Sequence, residues 1–348
     1  MNVAIFLPNW IGDVVMATPA LRALRQRFAG ARLIAVGRPY VADVLAGLPW
    51  FDAHLYLDRT GPWAHRWPTT AWQLRRQGID LAVLMPNSFR SSLVAWLSGA
   101  KRRIGFQRDR RGWMLSERLQ PIRDDHGAFK PSPIIDDYNR IAQAAGCPDP
   151  GYRMELATTP SDESAADAVY AKFGLTQQDD VICLNPGAAF GAAKFWPTDS
   201  FARLAQDLVA MAGVKVLVLC GPSEREQARS IARLANRAKV YTLADEPLSL
   251  GLTKALIRRT RLLVTTDSGP RHFAAAFDRP VVSLFGPTFI DWTRTYFAKE
   301  IMLQKPVPCG PCQQRVCPTD HACMRLLTPR EVLAAAQRAL EGSLQKAC

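Results

Sequence analysis

Short apolar runs alternate along this chain with longer stretches whose apolar positions recur at helical spacing. VAIFLP reads as a strand, and TPALRALRQRF follows as an amphipathic helix. ARLIAVGR, HLYLD, DLAVLMP and RRIGF read as further strands. YVADVLAGL, AWQLRRQGI and SFRSSLVAWLSGA are the helices between them, and DDYNRIAQAAG closes the series as a helix. The strands are short and nearly continuously apolar, which predicts a parallel sheet covered on both faces. The polar stretch TTPSDES at 158–164 breaks the rhythm. Thr158-Thr159-Pro160 marks a boundary there, and Ser161 with Ser164 can cap a new helix.

The alternation then starts again. DVICLNPGA, KVLVLCGP, KVYTL, RLLVTTDSG and PVVSLFGPT are strands with their exit loops. DESAADAVYAKFG, SFARLAQDLVAMAG, SEREQARSIARLAN, SLGLTKALIRRT, PRHFAAAF and TPREVLAAAQRALEG are helices. The expected fold is α/β, with two doubly wound Rossmann-like domains over 1–160 and 161–328. A C-terminal helix over 329–348 is expected to pack back on the first domain. Such halves carry ligand groups on the loops after their strands, and two facing halves make a cleft for a substrate.

Length and composition agree with this picture. The 348 residues suit two domains, and 48% hydrophobic with 22% charged residues is a globular balance. No repeat of solenoid period occurs. No basic residue precedes the first apolar run, Asn9 and Asp13 interrupt it, and no apolar run reaches about 18 residues. A cytoplasmic protein without signal peptide or membrane span is expected.

Charge adds a partner. The net charge is +13, from 44 basic and 31 acidic residues, which favours a polyanionic partner: nucleic acid, an anionic membrane surface or a phosphorylated substrate. The basic residues concentrate in KRRIGFQRDRR, 101–111, which also reads as a solvated loop. No nucleic-acid-binding motif accompanies it, so no nucleic-acid partner is expected. Of the eight cysteines, Cys147, Cys183, Cys220 and Cys348 are isolated. Cys183 and Cys220 lie in apolar runs and read as core. Cys309, Cys312, Cys317 and Cys323 form CGPCQQRVCPTDHAC, which reads as a weak metal candidate, as labile thiols or as a Pro/Cys-rich structural loop.

Four loops at strand ends can carry chemistry. PNWIGD places Asp13 beside Gly12 where a strand gives way to a helix, either as a helix cap or as a base. In NPGAAFGAAKFWP, Gly187 and Gly191 let backbone amides approach an anion, and Lys194 adds a positive charge, although the P-loop pattern is missing. CGPSERE contains Glu224. In TDSGPRH, Ser268 and Gly269 open a helix whose positive end suits a diphosphate. Asp267 would repel such an anion, so it accepts from sugar hydroxyls or orders the loop, while His272 lies one turn in. GxGxxG is absent from both halves, which argues against a dinucleotide oxidoreductase.

PNWIGD, PNSFRSS at 86–92, GFQRDRRGWML, PGAAFGAAKFWP and TDSGPRHFAAAFDRPVVSLFGPT stand in the order seen in one family. Together they resemble the ADP-heptose:lipopolysaccharide heptosyltransferases, the glycosyltransferase family 9 enzymes of Gram-negative bacteria, and within it the type II branch. The resemblance implies a GT-B fold with the active site in the cleft, and inverting transfer of heptose from ADP-heptose to the first heptose of the lipopolysaccharide inner core. It implies no cofactor and no catalytic metal. It makes Asp13 the general base. Lys194, with the amides of Ser268 and Gly269, neutralises the departing ADP. It implies donor contacts from Gly12, Gly187, Glu224, Leu248, Asp267 and His272. The acceptor side comprises Asn9, Asn87, Ser88, Arg90, Arg108 and Arg111, with Ser88 also readable as a helix cap. The expected partners are ADP-heptose, the lipopolysaccharide inner core on lipid A, and the anionic inner-membrane surface. Arg102, Arg103, Arg108, Arg110 and Arg111 are expected to meet the last two, which makes the enzyme peripheral on the cytoplasmic face. Competing readings are a family 9 transferase with another acceptor, a non-catalytic nucleotide-sugar binder, and a redox or metal protein built on the cysteines.

Overall fold

The computed structural model describes residues 1–58 and 60–344; Cys348 lies outside them. The chain forms two compact units, Met1–Ala157 with Asp291–Tyr296, and Thr158–Ile290 with the chain from Phe297 on.

In unit 1 the elements run β1 (Asn2–Phe6), α1 (Ile11–Met16), α2 (Thr18–Arg27), β2 (Arg32–Gly37), α3 (Pro39–Leu45) and β3 (Ala53–Tyr56). Then come α4 (Trp67–Arg76), β4 (Leu81–Leu84), α5 (Phe89–Leu97), β5 (Arg102–Phe106), β6 (Glu117–Leu119) and α6 (Ile134–Ala144). The six strands pair in parallel in the order β3-β2-β1-β4-β5-β6. Ala4 at the centre of β1 stands between Ile34 and Ala82. On one face, Ala71 and Leu74 of α4 and Val94 and Ala95 of α5 close over Phe6, Val36 and Leu84. Each large aliphatic side chain buried in this way contributes roughly 1.5–3 kcal/mol.

Unit 2 begins with α7 (Pro160–Lys172), then β7 (Asp180–Asn185), α8 (Thr198–Val209), β8 (Val214–Val218), α9 (Arg225–Ala235), β9 (Val240–Thr242) and α10 (Leu250–Arg259). It continues with β10 (Leu262–Thr266), α11 (Gly269–Ala276), β11 (Val281–Phe285), β12 (Glu300–Gln304), α12 (Ala322–Arg325) and α13 (Pro329–Leu344). Its sheet is also parallel, in the order β12-β11-β10-β7-β8-β9.

Four sequence expectations change. The cap of α7 is Thr159, not Ser161 or Ser164. Thr159 Oγ1 accepts from the Asp162 N–H at 3.2 Å, and Asp162 Oδ2 accepts from the Thr159 N–H at 2.9 Å. Pro160 then takes the first helical position, where its missing N–H costs nothing. The C-terminal helix α13, expected to pack back on the first domain, packs on α8 and on β10, β11 and β12 of its own unit. Its Val332, Ala335 and Ala336 are buried there. The segment Asp291–Tyr296 belongs to unit 1, where Tyr296 Oη donates to Asp136 Oδ2 at 2.9 Å and its ring meets Tyr152 at 4.4 Å. Two edge strands, β6 and β12, join the sheets without a sequence signal.

Candidate active site

In each unit the strand order reverses once, between β1 and β4 and between β7 and β10. Loops leaving those strands are where an open α/β sheet binds ligands. Every loop that the sequence singled out for chemistry follows one of these strands, except that of Glu224, which follows β8.

In unit 2, Asn185 ends β7, and its Nδ2 donates to Thr265 Oγ1 and Ser268 Oγ, both at 3.0 Å. Thr266 Oγ1 donates to the Gly187 carbonyl at 2.7 Å. These buried bonds hold the loops after β7 and β10 to one another. Lys194 lies on a single 3-10 turn, Ala192–Lys194, and is buried. Its Nζ donates to Asp267 Oδ2 at 2.5 Å and to the Asp267 carbonyl at 3.0 Å. Asp267 also accepts from Thr288 Oγ1 at 2.8 Å and faces Arg271 at 3.4 Å. Arg271 in turn pairs with Glu300, its Nη2 donating to Oε2 at 3.1 Å.

Lys194, Asp267, Arg271 and Glu300 are thus four charges in a row, alternating in sign and almost without solvent. Burial opposes the charge on Asp267, but Lys194 and Arg271 hold its carboxyl below the usual carboxylate range. Burial likewise works against Arg271, and Glu300 and Asp267 outweigh it, raising its pKa. The bonds of Asp267 are therefore those that order the loop.

His272 stands in the first turns of α11, buried, with Nδ1 lacking any hydrogen-bond partner. Burial, reinforced by Arg271, pushes its imidazole well below the ordinary value, so the folded protein keeps it neutral. The unfolded chain protonates this ring below about pH 6.5. Its effect on stability is therefore nil above that pH and unfavourable to folding as pH falls below it. Ser268 precedes α11 without a side-chain cap bond to it. Pro270 has no N–H and the Arg271 N–H donates to the Ser268 carbonyl at 3.2 Å, so the amides of Ser268 and Gly269 are the ones that can meet an anion. Glu224 Oε2 accepts from the Gly221 N–H at 2.8 Å. Its carboxylate lies so near Gly187 that a Cβ there would stand 2.0 Å from Glu224 Cδ. Leu248 is half-buried in the loop ahead of α10 and is not part of the core.

The cysteine-rich segment braces this site. The Ala193 N–H donates to the Arg315 carbonyl at 3.0 Å, His321 Nε2 bonds the Ala193 carbonyl at 2.7 Å, and the Gln313 N–H donates to the Pro287 carbonyl at 2.8 Å. Cys309 is exposed, Cys312 and Cys317 are half-buried and Cys323 is buried. The Thr319 hydroxyl lowers the Cys317 thiol, and burial raises that of Cys323. Among the described residues, no three of His, Cys, Asp and Glu are arranged to hold a metal ion. Gly191 meets the segment closely, since a Cβ on it would lie 2.4 Å from the Arg315 carbonyl oxygen, a backbone atom that cannot swing aside. Gly191→Ala should cost about 1–3 kcal/mol. A urea midpoint equal to that of the wild type would refute this.

In unit 1, Asp13 occupies the third position of α1, half-buried. Trp10 holds the cap position, and no side chain caps the helix. Asp13 is therefore not the cap, and the positive end of α1 favours its charge. Its field and that of Asp137 add to burial in raising the Tyr138 phenol well above its ordinary value. Asn9 is exposed, and its carbonyl accepts from Tyr40 Oη. Gly12 is half-buried.

After β4, Ser88 caps α5, its Oγ accepting from the Ser91 N–H at 3.2 Å. Arg90 is exposed. Arg111 corrects the sequence reading: it is fully buried instead of facing an acceptor. Its guanidinium donates to the carbonyls of Phe106 and Pro86 and, at 3.1 Å, to Asn87 Oδ1. Burial lowers it to about 10. Arg111 and Asn87 thereby hold the β4 and β5 exit loops together. Arg102 pairs with Glu117 at 2.7 Å, and Arg103 donates to the Met114 and Ala100 carbonyls. Arg108 and Arg110 instead line a cavity of about 350 Å³ with Arg118 and Arg123. The Arg108 and Arg123 guanidinium groups lie 4.1 and 4.4 Å from the Phe129 ring centre. The sequence missed Arg118 and Arg123, and it missed Asn185, Arg271, Thr288 and Glu300.

Comparison with known proteins accords with this geometry. The family described as "Glycosyltransferase family 9 (heptosyltransferase)" matches residues 69–323. The chain is 27% identical over 304 residues to lipopolysaccharide heptosyltransferase 2 of Salmonella typhimurium, covering 84% of this chain and 85% of that protein. It is 26% identical to lipooligosaccharide heptosyltransferase 2 of Campylobacter jejuni, covering 99% of both. Among solved structures, that of E. coli ADP-heptose LPS heptosyltransferase II superposes with a TM-score of 0.79, at 25% identity and with full coverage of both chains. With two parallel six-stranded sheets of GT-B type and a family match over most of its length, the chain belongs to glycosyltransferase family 9 and is a glycosyltransferase.

Proposed function

We propose that this glycosyltransferase moves L-glycero-D-manno-heptose from ADP-heptose to the first heptose of the lipopolysaccharide inner core, with inversion. The observation that carries the reading is the preorganised anion site of unit 2. There the ammonium of Lys194 and the open first turn of α11 are fixed by buried bonds, beside a neutral histidine with an unpartnered ring nitrogen. Near full-length similarity to heptosyltransferase 2 proteins supports the substrates.

The chemistry divides between the units. Asp13 takes the proton of an acceptor hydroxyl as that oxygen bonds to the anomeric carbon of the heptose. The bond from that carbon to the β-phosphate oxygen breaks, and ADP leaves with the electron pair. Lys194 donates twice to Asp267, and its ammonium also lies 4.9 Å from the Phe190 ring centre. Its remaining N–H and the amides of Ser268 and Gly269 stabilise the charge gathering on ADP. His272 donates or accepts as a neutral ring, Glu224 binds ribose hydroxyls, and Leu248 packs the adenine. Arg108, Arg110, Arg118 and Arg123 receive the carboxylates or phosphates of the acceptor. The lipid-linked acceptor sets the enzyme at the cytoplasmic face of the inner membrane. No helix among the described residues is long and apolar enough to cross a membrane.

The test is a mass-spectrometric transfer assay with ADP-heptose and either Kdo2-lipid A or its mono-heptosyl form. One added heptose on the mono-heptosyl acceptor alone supports the proposal. Transfer to the unheptosylated acceptor assigns the first heptose instead, and no transfer to either removes the acceptor. His272→Ala should weaken ADP binding about tenfold by calorimetry, the worth of one hydrogen bond in a buried site. Unchanged affinity would remove His272 from the donor contacts.

A further inference from the structure

We propose that the outer face of the α4–α5 layer of unit 1 docks on an anionic phospholipid bilayer, with tryptophans entering the headgroup region. Six tryptophans among the described residues are exposed, and five of them sit on this layer: Trp63 ahead of α4, Trp67 and Trp72 on α4, Trp96 on α5 and Trp113 after β5. They are 40–73% exposed. Tryptophan is rarely left in water, because its ring carries a large apolar area. In unit 2 the single tryptophan, Trp196, is fully buried and donates to the Leu327 carbonyl.

The layer is continuous. Helices α4 and α5 pack side by side over the same sheet face, with Ala71, Leu74, Val94 and Ala95 turned inward. The Trp96 and Trp113 rings meet edge to face at 5.6 Å. An amphipathic helix on a soluble surface puts charged residues of both signs on its outer side. This layer puts aromatic rings and arginines there.

Charge selects the partner. Residues 61–79 hold three arginines and no acid, and residues 86–116 hold seven basic residues against Asp109 alone. Arg66, Arg75, Arg76, Arg90 and Arg110 are exposed and form no ion pair among the described residues. Arg76 lies 4.9 Å from the Trp72 ring centre. Arginines to meet phosphates, with tryptophans to sit at the boundary of headgroup and acyl chain, are the combination that a bilayer interface selects. Trp113 and Arg110 also line the arginine cavity, so a lipid-borne glycan would reach that cavity from the docked face.

The purpose of the surface rests on the lipid-linked acceptor proposed above, but its vesicle-binding readout needs neither donor nor acceptor. The full chain is mixed with vesicles of phosphatidylcholine containing phosphatidylglycerol, and with vesicles of phosphatidylcholine alone. Flotation is expected with the first only, falling as salt rises. Brominated lipid is expected to quench the tryptophan emission. In Trp63→Ser/Trp67→Ser/Trp72→Ser/Trp96→Ser, vesicle binding should drop about tenfold or more. Transfer to a deacylated, water-soluble acceptor should stay at the wild-type rate, which also reports an intact fold. Unchanged flotation of the quadruple variant, or emission unaffected by brominated lipid, would overturn the proposal. So would capture of a protein partner by this face without any vesicle binding. Wild-type protein that floats with the anionic vesicles but transfers to no acceptor would instead count against the proposed acceptor alone.

Discussion

Asp13→Asn is expected to lower the transfer rate about 10²–10⁴-fold, the usual worth of a positioned general base. The stability of the protein should hardly change. The residue sits in the first turn of α1 and not at its cap, so the lost helix-end attraction amounts to about 0.3–1 kcal/mol. A capping role predicts the opposite pattern, a loss of stability with the rate preserved. Affinity for ADP should also hold, because the groups proposed to bind its phosphates, Lys194 and the amides of Ser268 and Gly269, lie in unit 2. The measurements are single-turnover transfer by mass spectrometry, thermal unfolding and calorimetric ADP binding on the same preparation. A variant that transfers at more than a tenth of the wild-type rate would take the base away from Asp13. Asp13→Glu should recover part of the rate, since it restores the carboxylate at the wrong reach.

How much of this was legible before the structure depends on whether a signal is local. The central strands are wholly buried and read at once from runs such as VAIF and VICL. The edge strands β6 and β12 are three and five residues long and less completely buried than the central strands, so no long apolar run announces them. Asp13, Lys194 and Asp267 could be singled out because each stands within three residues of a glycine in a segment that follows a strand. Their partners were not. Arg271 and Glu300 are 29 residues apart, and nothing local in either segment says that the two are buried against each other. Arg111 misled for the same reason: an arginine in a basic run is exposed by default, and only the tertiary arrangement of carbonyls around it buries it. The exposed tryptophans run the other way. Their apolar character predicts burial, and the structure leaves them in water.

Lys194→Ala should lower the transfer rate about 10²–10³-fold, the loss expected when one preorganised charge facing a leaving group is removed. It should also destabilise the protein, because removing one partner of a buried pair typically costs about 3–5 kcal/mol. Here the cost should fall at the low end, since Arg271 still faces Asp267 at 3.4 Å. The two effects separate in Lys194→Met/Asp267→Asn. That variant removes both charges, keeps an apolar stem in the space of the lysine, and should regain most of the lost stability without regaining rate. Were Lys194 only a structural partner of Asp267, the double variant would recover activity together with stability, and that outcome would remove it from the leaving-group side. Acid unfolding gives an independent reading. The folded pKa of Asp267 is depressed, so its contribution to stability is present above its unfolded value near 4 and fades as pH falls through the lower folded value. Taking Lys194 away raises the folded value toward the unfolded one and shrinks that contribution. The wild type should therefore lose stability more steeply than Lys194→Ala as pH drops below about 4. Parallel slopes would mean that the ammonium does not set the Asp267 charge in solution.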